Sequence, residues 1–290
     1  MNFDYSDEQK MLKDEARKFL DAKCPPAVVR GVLNHADRAY DEALWRGVAE
    51  QGWLGAAIPE AHGGLGLGHV ELCALAEELG RACAPIPFAS TVYFVAEALM
   101  LFGSEAQQTK WLPRIAAGAV IGAFATSEGP GPTTPRSVRT SVSGGRLSGV
   151  KIPVTDGDVA DLIVVLAGDG LYLVERGEGV AAEVLTTLDP TRSAARLTFT
   201  DAPAERLGDE DGFTATERVL DRAAVLLALP WPFLAALLHA GRAPSTVFAE
   251  ISPGATATDP TSRWIARVCQ EVHAETGGDH VPESELQAWV

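Results

Sequence analysis

The sequence is poor in cysteine, in basic residues and in long apolar runs. Its four cysteines, Cys24, Cys73, Cys83 and Cys269, are scattered over 290 residues. That is no disulfide framework, and the spacing matches neither a zinc ribbon nor a Cys-x-x-Cys redox pair. Lys+Arg number 24 against 39 Asp+Glu, a net charge of −15. So acidic a surface repels phosphate backbones, and no nucleic-acid partner is expected. The longest apolar run, around 223–238, is broken by Pro230 and Pro232. It is too short to span a bilayer, so no membrane insertion is expected. The start, Met1 to Asp7, has no basic stretch followed by an apolar one, so no signal peptide is read and a cytoplasmic location is expected. No internal repeat occurs.

What is present suffices for a large core. Hydrophobic residues make up 47% and charged residues 22%. Length alone suggests about two domains.

The first ~120 residues carry helical patterns. Ser6 and Gln9 have the spacing of a capping box, and Leu12, Ala16, Phe19 and Leu20 follow on one face. Leu44, Trp45 and Val48 mark a helix over 41–51, and Leu72, Leu75, Ala76 and Leu79 another. Two more helices are expected over 92–102 and 106–117, the second kinked or broken at Pro113. From about Gly122 the pattern changes to short β-branched runs at 146–151, 161–167, 171–175 and 196–200, separated by Gly, Asp and Pro turns. These predict a small antiparallel barrel or sandwich. A helix resumes at Phe213, with Val219, Leu220, Ala223 and Leu226 on one face. The order helices, strands, helix gives an α+β class and argues against a doubly wound sheet. The 62 residues from 229 hold six of the 18 prolines, and the one helical stretch there is 262–275.

Several motifs invite chemistry and read more simply otherwise. The glycine-rich run from Gly63 to Gly68 has no strand before it and His69 where a third dinucleotide-loop glycine belongs. It reads as a tight loop between helices. Cys269, His273 and His280 lack a fourth partner for zinc, and no metal is expected. Glu77-Glu78 and Asp209-Glu210-Asp211 read as solvated faces rather than acid/base pairs.

Eight stretches in order carry a resemblance. They are 45–66, running from Trp45 through Gly52-Trp53-Leu54-Gly55 to Gly63-Gly64-Leu65-Gly66; Glu77-Glu78-Leu79-Gly80-Arg81; Gly103-Ser104-Glu105-Ala106-Gln107; Leu112-Pro113-Arg114-Ile115; Ala123-Phe124-Ala125-Thr126-Ser127-Glu128; Leu147-Ser148-Gly149-Val150-Lys151; Ala160-Asp161-Leu162; and Glu205-Arg206-Leu207-Gly208. Over about residues 1–228 the chain resembles the acyl-CoA dehydrogenases. The resemblance implies a helical domain over 1–120, a middle β domain over 121–208 and a helical segment over 209–290. It implies FAD as cofactor and α,β-dehydrogenation of an acyl-CoA thioester in lipid metabolism, with hydride passing to the flavin. The implied partners are an acyl-CoA substrate, an electron-transfer flavoprotein and other subunits of a homo- or hetero-oligomer. By the same resemblance, Phe124, Thr126 and Ser127 lie along the flavin ring and its pyrimidine edge. Thr133 approaches the pyrophosphate and acyl-CoA, and Val154 and Thr155 face flavin N5.

The sequence departs from the family in three places. The usual Glu-Pro-Gly-Ala-Gly-Ser-Asp loop reads Glu128-Gly129-Pro130-Gly131-Pro132-Thr133-Thr134, which loses backbone donors. The Trp of the family's Trp-Ile-Thr/Ser triplet is Pro153. After residue 229 neither the C-terminal bundle motifs nor the catalytic glutamate are found, so no catalytic base is named. A bundle of four long helices needs about 90 residues, more than the 62 present. A shifted frame or a replaced tail would account for this. The alternative expectation is therefore a non-catalytic subunit or a truncated, inactive product. In either case the face of Leu220, Ala223 and Leu227 is expected to stay uncovered.

Overall fold

The computed structural model describes residues 5–34, 39–187 and 189–228. The glycine-free stretch behind Ser6 forms α1 (Asp7–Lys23). Its start is fixed by a reciprocal cap, in which Ser6 Oγ accepts from Gln9 N and Gln9 Oε1 accepts from Ser6 N. Then come α2 (Pro26–Leu33) and α3 (Glu42–Glu50), the latter capped by Asp41, whose carboxylate accepts from Leu44 N at 2.8 Å. The glycine run is a loop leading into α4 (His69–Arg81), with Gly63 and Gly66 at positive φ. A π-helix over Ala89–Ala96 runs directly into α5 (Glu97–Phe102). A Ser104–Gln107 capping box then starts α6 (Glu105–Ala116). Pro113 neither breaks nor ends α6, contrary to the sequence expectation. It lies in the last turn, where the helix loses a single hydrogen bond.

The β region has eight strands: β1 (Gly122–Ala125), β2 (Ser141–Ser143), β3 (Arg146–Thr155), β4 (Leu162–Ala167), β5 (Gly170–Glu175), β6 (Val180–Val184), β7 (Ala194–Pro203) and β8 (Glu205–Arg206). They form two four-stranded sheets, ordered β1-β4-β5-β8 and β2-β3-β7-β6. Neither closes into a barrel, and the expected antiparallel pairing holds except between β1 and β4, which run parallel. The last described element is α7 (Gly212–Ala228).

All six residues of β4 are buried, so it is a middle strand. Leu162, Val164 and Leu166 meet Leu99, Trp111, Leu112 and Ile115 on the helical side. Ile163, Val165 and Ala167 meet Leu147, Leu197 and Phe199 of the second sheet. The sequence is therefore layered as helices, sheet, sheet. A third core joins α1, α3 and α4 around Trp45, Trp53 and Leu75, and α7 adds Ala223 and Leu226 to it.

Two expectations for charged and apolar faces need correction. Glu78 is not on a solvated face: it is 1% exposed and takes Arg17 at 2.7 Å and Arg81 at 2.6 Å, pinning α1 to α4. On α7, Val219, Ala223 and Leu226 are buried as expected, but Leu220 is exposed. Of the face expected to be uncovered, Leu220 and Leu227 are 43% and 42% exposed, whereas Ala223 is buried. Cys269, His273, His280 and the 262–275 stretch lie outside the described residues. Among the described residues, no helix is long and apolar enough to cross a membrane.

Candidate functional site

The candidate site is built on a segment that changes sheets. Over 122–125 the chain pairs with β4 in the first sheet. Three residues later Glu128 bridges Ile152 of β3 in the second, and Ile152 N donates to Ser127 O at 2.9 Å. Phe124, on β1, stacks on Phe94 of the π-helix with ring centroids 5.6 Å apart and planes 18° from parallel. A flat aromatic wall thus stands where the chain leaves the first sheet.

Thr126 and Ser127 follow, both half-buried. Ser127 Oγ donates to Gly129 O at 3.0 Å. The loop beyond is open: a Cβ placed on Gly129 or Gly131 would meet nothing within 4 Å, and both glycines have positive φ. Thr133 is half-buried in this loop, and Thr155 is exposed at the end of β3. Among the described residues, the hydroxyls of Thr126, Thr133 and Thr155 make no hydrogen bond, nor do the main-chain N–H groups of Gly131 and Thr133. These are neutral donors left free on the 126–133 loop and at the end of β3. They suit a ligand rich in carbonyl and phosphate acceptors, as FAD is.

Val154 is placed differently from the other residues singled out in the sequence. It is 1% exposed, with its side chain packed between the two sheets. An extra β3 residue, accommodated at Ile152–Pro153, sets this phase. Lys151 and Val154 both face inward, while Pro153 and Thr155 face outward. Val154 therefore has only its backbone to offer a ligand.

Sequence reasoning missed an ion pair beneath this loop. Lys151 is completely buried, and its ammonium donates to Thr126 O at 3.1 Å and to Glu128 Oε1 at 2.8 Å. Glu128 also accepts the main-chain N–H of Arg139 at 2.6 Å and of Thr140 at 2.9 Å. Burial alone would raise the Glu128 pKa. The Lys151 ammonium and the donors at 139 and 140 outweigh it and bring the value down to about 2. Burial draws the Lys151 pKa below its ordinary value despite the carboxylate. A signal was available: Lys151 shares the phase of buried Leu147 along β3, and both partners fall in the stretches that carried the family resemblance.

Comparisons with known proteins point to one family and fold. The model of the acyl-CoA dehydrogenase N-terminal domain matches residues 6–119. Acyl-CoA dehydrogenase IpdE2 of Mycobacterium tuberculosis is 31% identical over 225 residues, covering 77% of this chain and 58% of its own length. Residues 6–119 thus match the N-terminal domain of the acyl-CoA dehydrogenases, and the chain resembles that family over most of its length. A mitochondrial isovaleryl-CoA dehydrogenase of Pongo abelii is 28% identical over 190 residues, with 62% of this chain and 44% of that protein covered. The chain thus spans about half the length of these relatives. Among solved structures, the electron transferring flavoprotein of Acidaminococcus fermentans superposes with a TM-score of 0.76 at 26% identity, over 96% of this chain and 78% of that one. An acyl-CoA dehydrogenase complexed with FAD from Bacillus anthracis shares the fold at a TM-score of 0.71 and 23% identity, over 93% of this chain and 50% of that one.

Proposed function

We propose that this chain is an FAD-binding dehydrogenase of acyl-CoA thioesters, with residues 1–120 as helical domain, 121–208 as flavin-bearing β domain and 209–290 as an atypical C-terminal helical segment. The observation that carries the reading is the set of unpaired donors on 126–133, in the segment that continues from the Phe94–Phe124 stack of a chain resembling the acyl-CoA dehydrogenases. FAD, when bound, supplies the two-electron redox chemistry of α,β-dehydrogenation. The chain's share is placement. Phe124 would bound the ring, the Thr126 hydroxyl and the Ser127 main-chain N–H would donate to its acceptor edge, and Thr155 would offer its hydroxyl from the outward face of β3. The main-chain N–H groups of Gly131 and Thr133, with the Thr133 hydroxyl, meet phosphate oxygens. Pro130 and Pro132 have no N–H, so the loop holds phosphate with fewer donors than the family's usual sequence. The base that removes the α-proton is not among the residues assigned. Electrons then leave for an electron-transfer flavoprotein in the cytoplasm.

The test is direct. The full chain is titrated with FAD, and acyl-CoA thioesters of increasing length are added without oxygen. Saturable flavin fluorescence quenching, followed by bleaching of the visible band, is expected. FAD uptake without bleaching by any thioester supports the second reading, a non-catalytic subunit of a heteromeric dehydrogenase. The exposed Leu220 and Leu227 favour that reading, since they leave an apolar strip on α7 for a partner helix. A chain that takes up no flavin, alone or with a partner subunit, sinks both.

A further inference from the structure

We infer that Lys151 and Glu128 are positioning residues of the flavin site, their ion pair holding the 126–129 turn in the shape that presents Thr126 and Ser127. The inference rests on the FAD reading above and adds residues to which the reading gave no role.

The pair is costly to keep. Lys151 is 0% exposed and Glu128 side-chain exposure is 12%. Replacing such a pair by apolar side chains of similar volume is often neutral or stabilising, so general stability gives little reason for it. Its geometry gives a better one. A single ammonium grips the carbonyl of Thr126 and the carboxylate of Glu128, two residues apart. The same carboxylate takes two consecutive main-chain donors from the far side of the open loop, at Arg139 and Thr140. Three segments therefore meet on one buried charge pair: the sheet-changing turn, the end of the loop and the middle of β3. Glu128 is bridged to Ile152, and alternation turns the Ser127 side chain to the face opposite the Glu128 carboxylate. Lys151 thus fixes the Thr126 carbonyl and the Glu128 carboxylate, one on each side of Ser127. The two prolines leave few hydrogen bonds within 129–133 to hold that shape, so the turn depends on its two ends.

The test uses the full chain as wild type, Glu128→Gln, Lys151→Met, and the double variant Glu128→Gln/Lys151→Met, which removes both charges at nearly constant shape. Without flavin, amide hydrogen exchange of 126–129 and 139–140 is followed with circular dichroism as the folding check. With flavin, FAD affinity and the shape of the bound-flavin visible band are measured. The double variant is expected to fold with wild-type ellipticity, to exchange tenfold or more faster at Arg139 and Thr140, to bind FAD at least tenfold more weakly and to show an altered band. A purely structural pair would leave affinity and band unchanged in the folded double variant, and that result overturns the inference. Unchanged exchange at 139–140 overturns it as well. If wild type binds no FAD, the flavin reading itself fails and this one falls with it. If wild type binds and the double variant binds equally, only this inference fails.

Discussion

At Glu128 the sign of the pH dependence follows from the partners. Its folded-state pKa, about 2, lies below the ordinary glutamate value of about 4.3. The stabilisation is therefore complete above the unfolded value and is lost as pH falls through the folded one. Denaturant unfolding is expected to lose roughly 2–3 kcal/mol from this group between pH 4.5 and 2, and Glu128→Gln should flatten that limb. Asp156 works in the opposite sense. Burial raises its pKa, although Ser90 Oγ donates to it at 2.6 Å. Its ionisation thus costs stability as pH rises through the elevated value. Asp156→Asn keeps an acceptor for Ser90 and tolerates the left-handed φ of 55° at this position. Its stability should fall less than that of the wild type as pH rises above the ordinary carboxylate range, and an identical pH dependence in denaturant unfolding would refute this. The Glu128 pairing left a trace in the sequence, since Lys151 shares the phase of buried Leu147. Asp156 left none: an aspartate in a turn reads as solvent-facing until the opposite layer is known.

At the scale of elements, periodicity and caps were informative where local rules decide. The expected helix over 41–51 is α3 with its two cap residues, and the Ser6–Gln9 cap forms as its spacing implies. Elements set by distant contacts were less visible. The expected helix over 92–102 begins as a π-helix, whose Thr91 hydroxyl takes the N–H of Gly122 at 3.0 Å and whose Phe94 meets Phe124. The parallel β1–β4 pair follows from a long connection that no short-range signal marks. The glycine run illustrates a local constraint with a long reach. A Cβ on Gly64 would lie 2.0 Å from the carbonyl oxygen of Ile58, a backbone atom that cannot swing aside. Gly64→Ala should therefore cost more than about 2 kcal/mol in denaturant unfolding. By contrast, Ser104→Ala, which removes one side of an accessible cap, should cost about 1 kcal/mol.

Over the described residues, helices cover one face of the first sheet and the second sheet covers the other. This layering was readable only as an α+β class, because the apolar run of β4 looks the same whether one or both of its faces are buried. The −15 charge opposes association, while Leu220 and Leu227 on α7 expose apolar side chains that would favour it. Purified alone, the chain should self-associate in sizing experiments, more strongly at high salt as the charge is screened. Leu220→Glu/Leu227→Glu should shift it toward the monomer, and an unchanged elution volume would count against that strip as the contact.

The segment 122–128 has one foot in each sheet. Together with Ala204, across which β7 passes into β8, it ties the two sheets through the main chain. A ligand seated on it would tighten both sheets at once, by RT ln(1 + [L]/Kd), rather than stiffening a single loop. Exchange protection should then rise together in β4 and β7, two strands that share no hydrogen bond, and the two sheets should melt as a single unit.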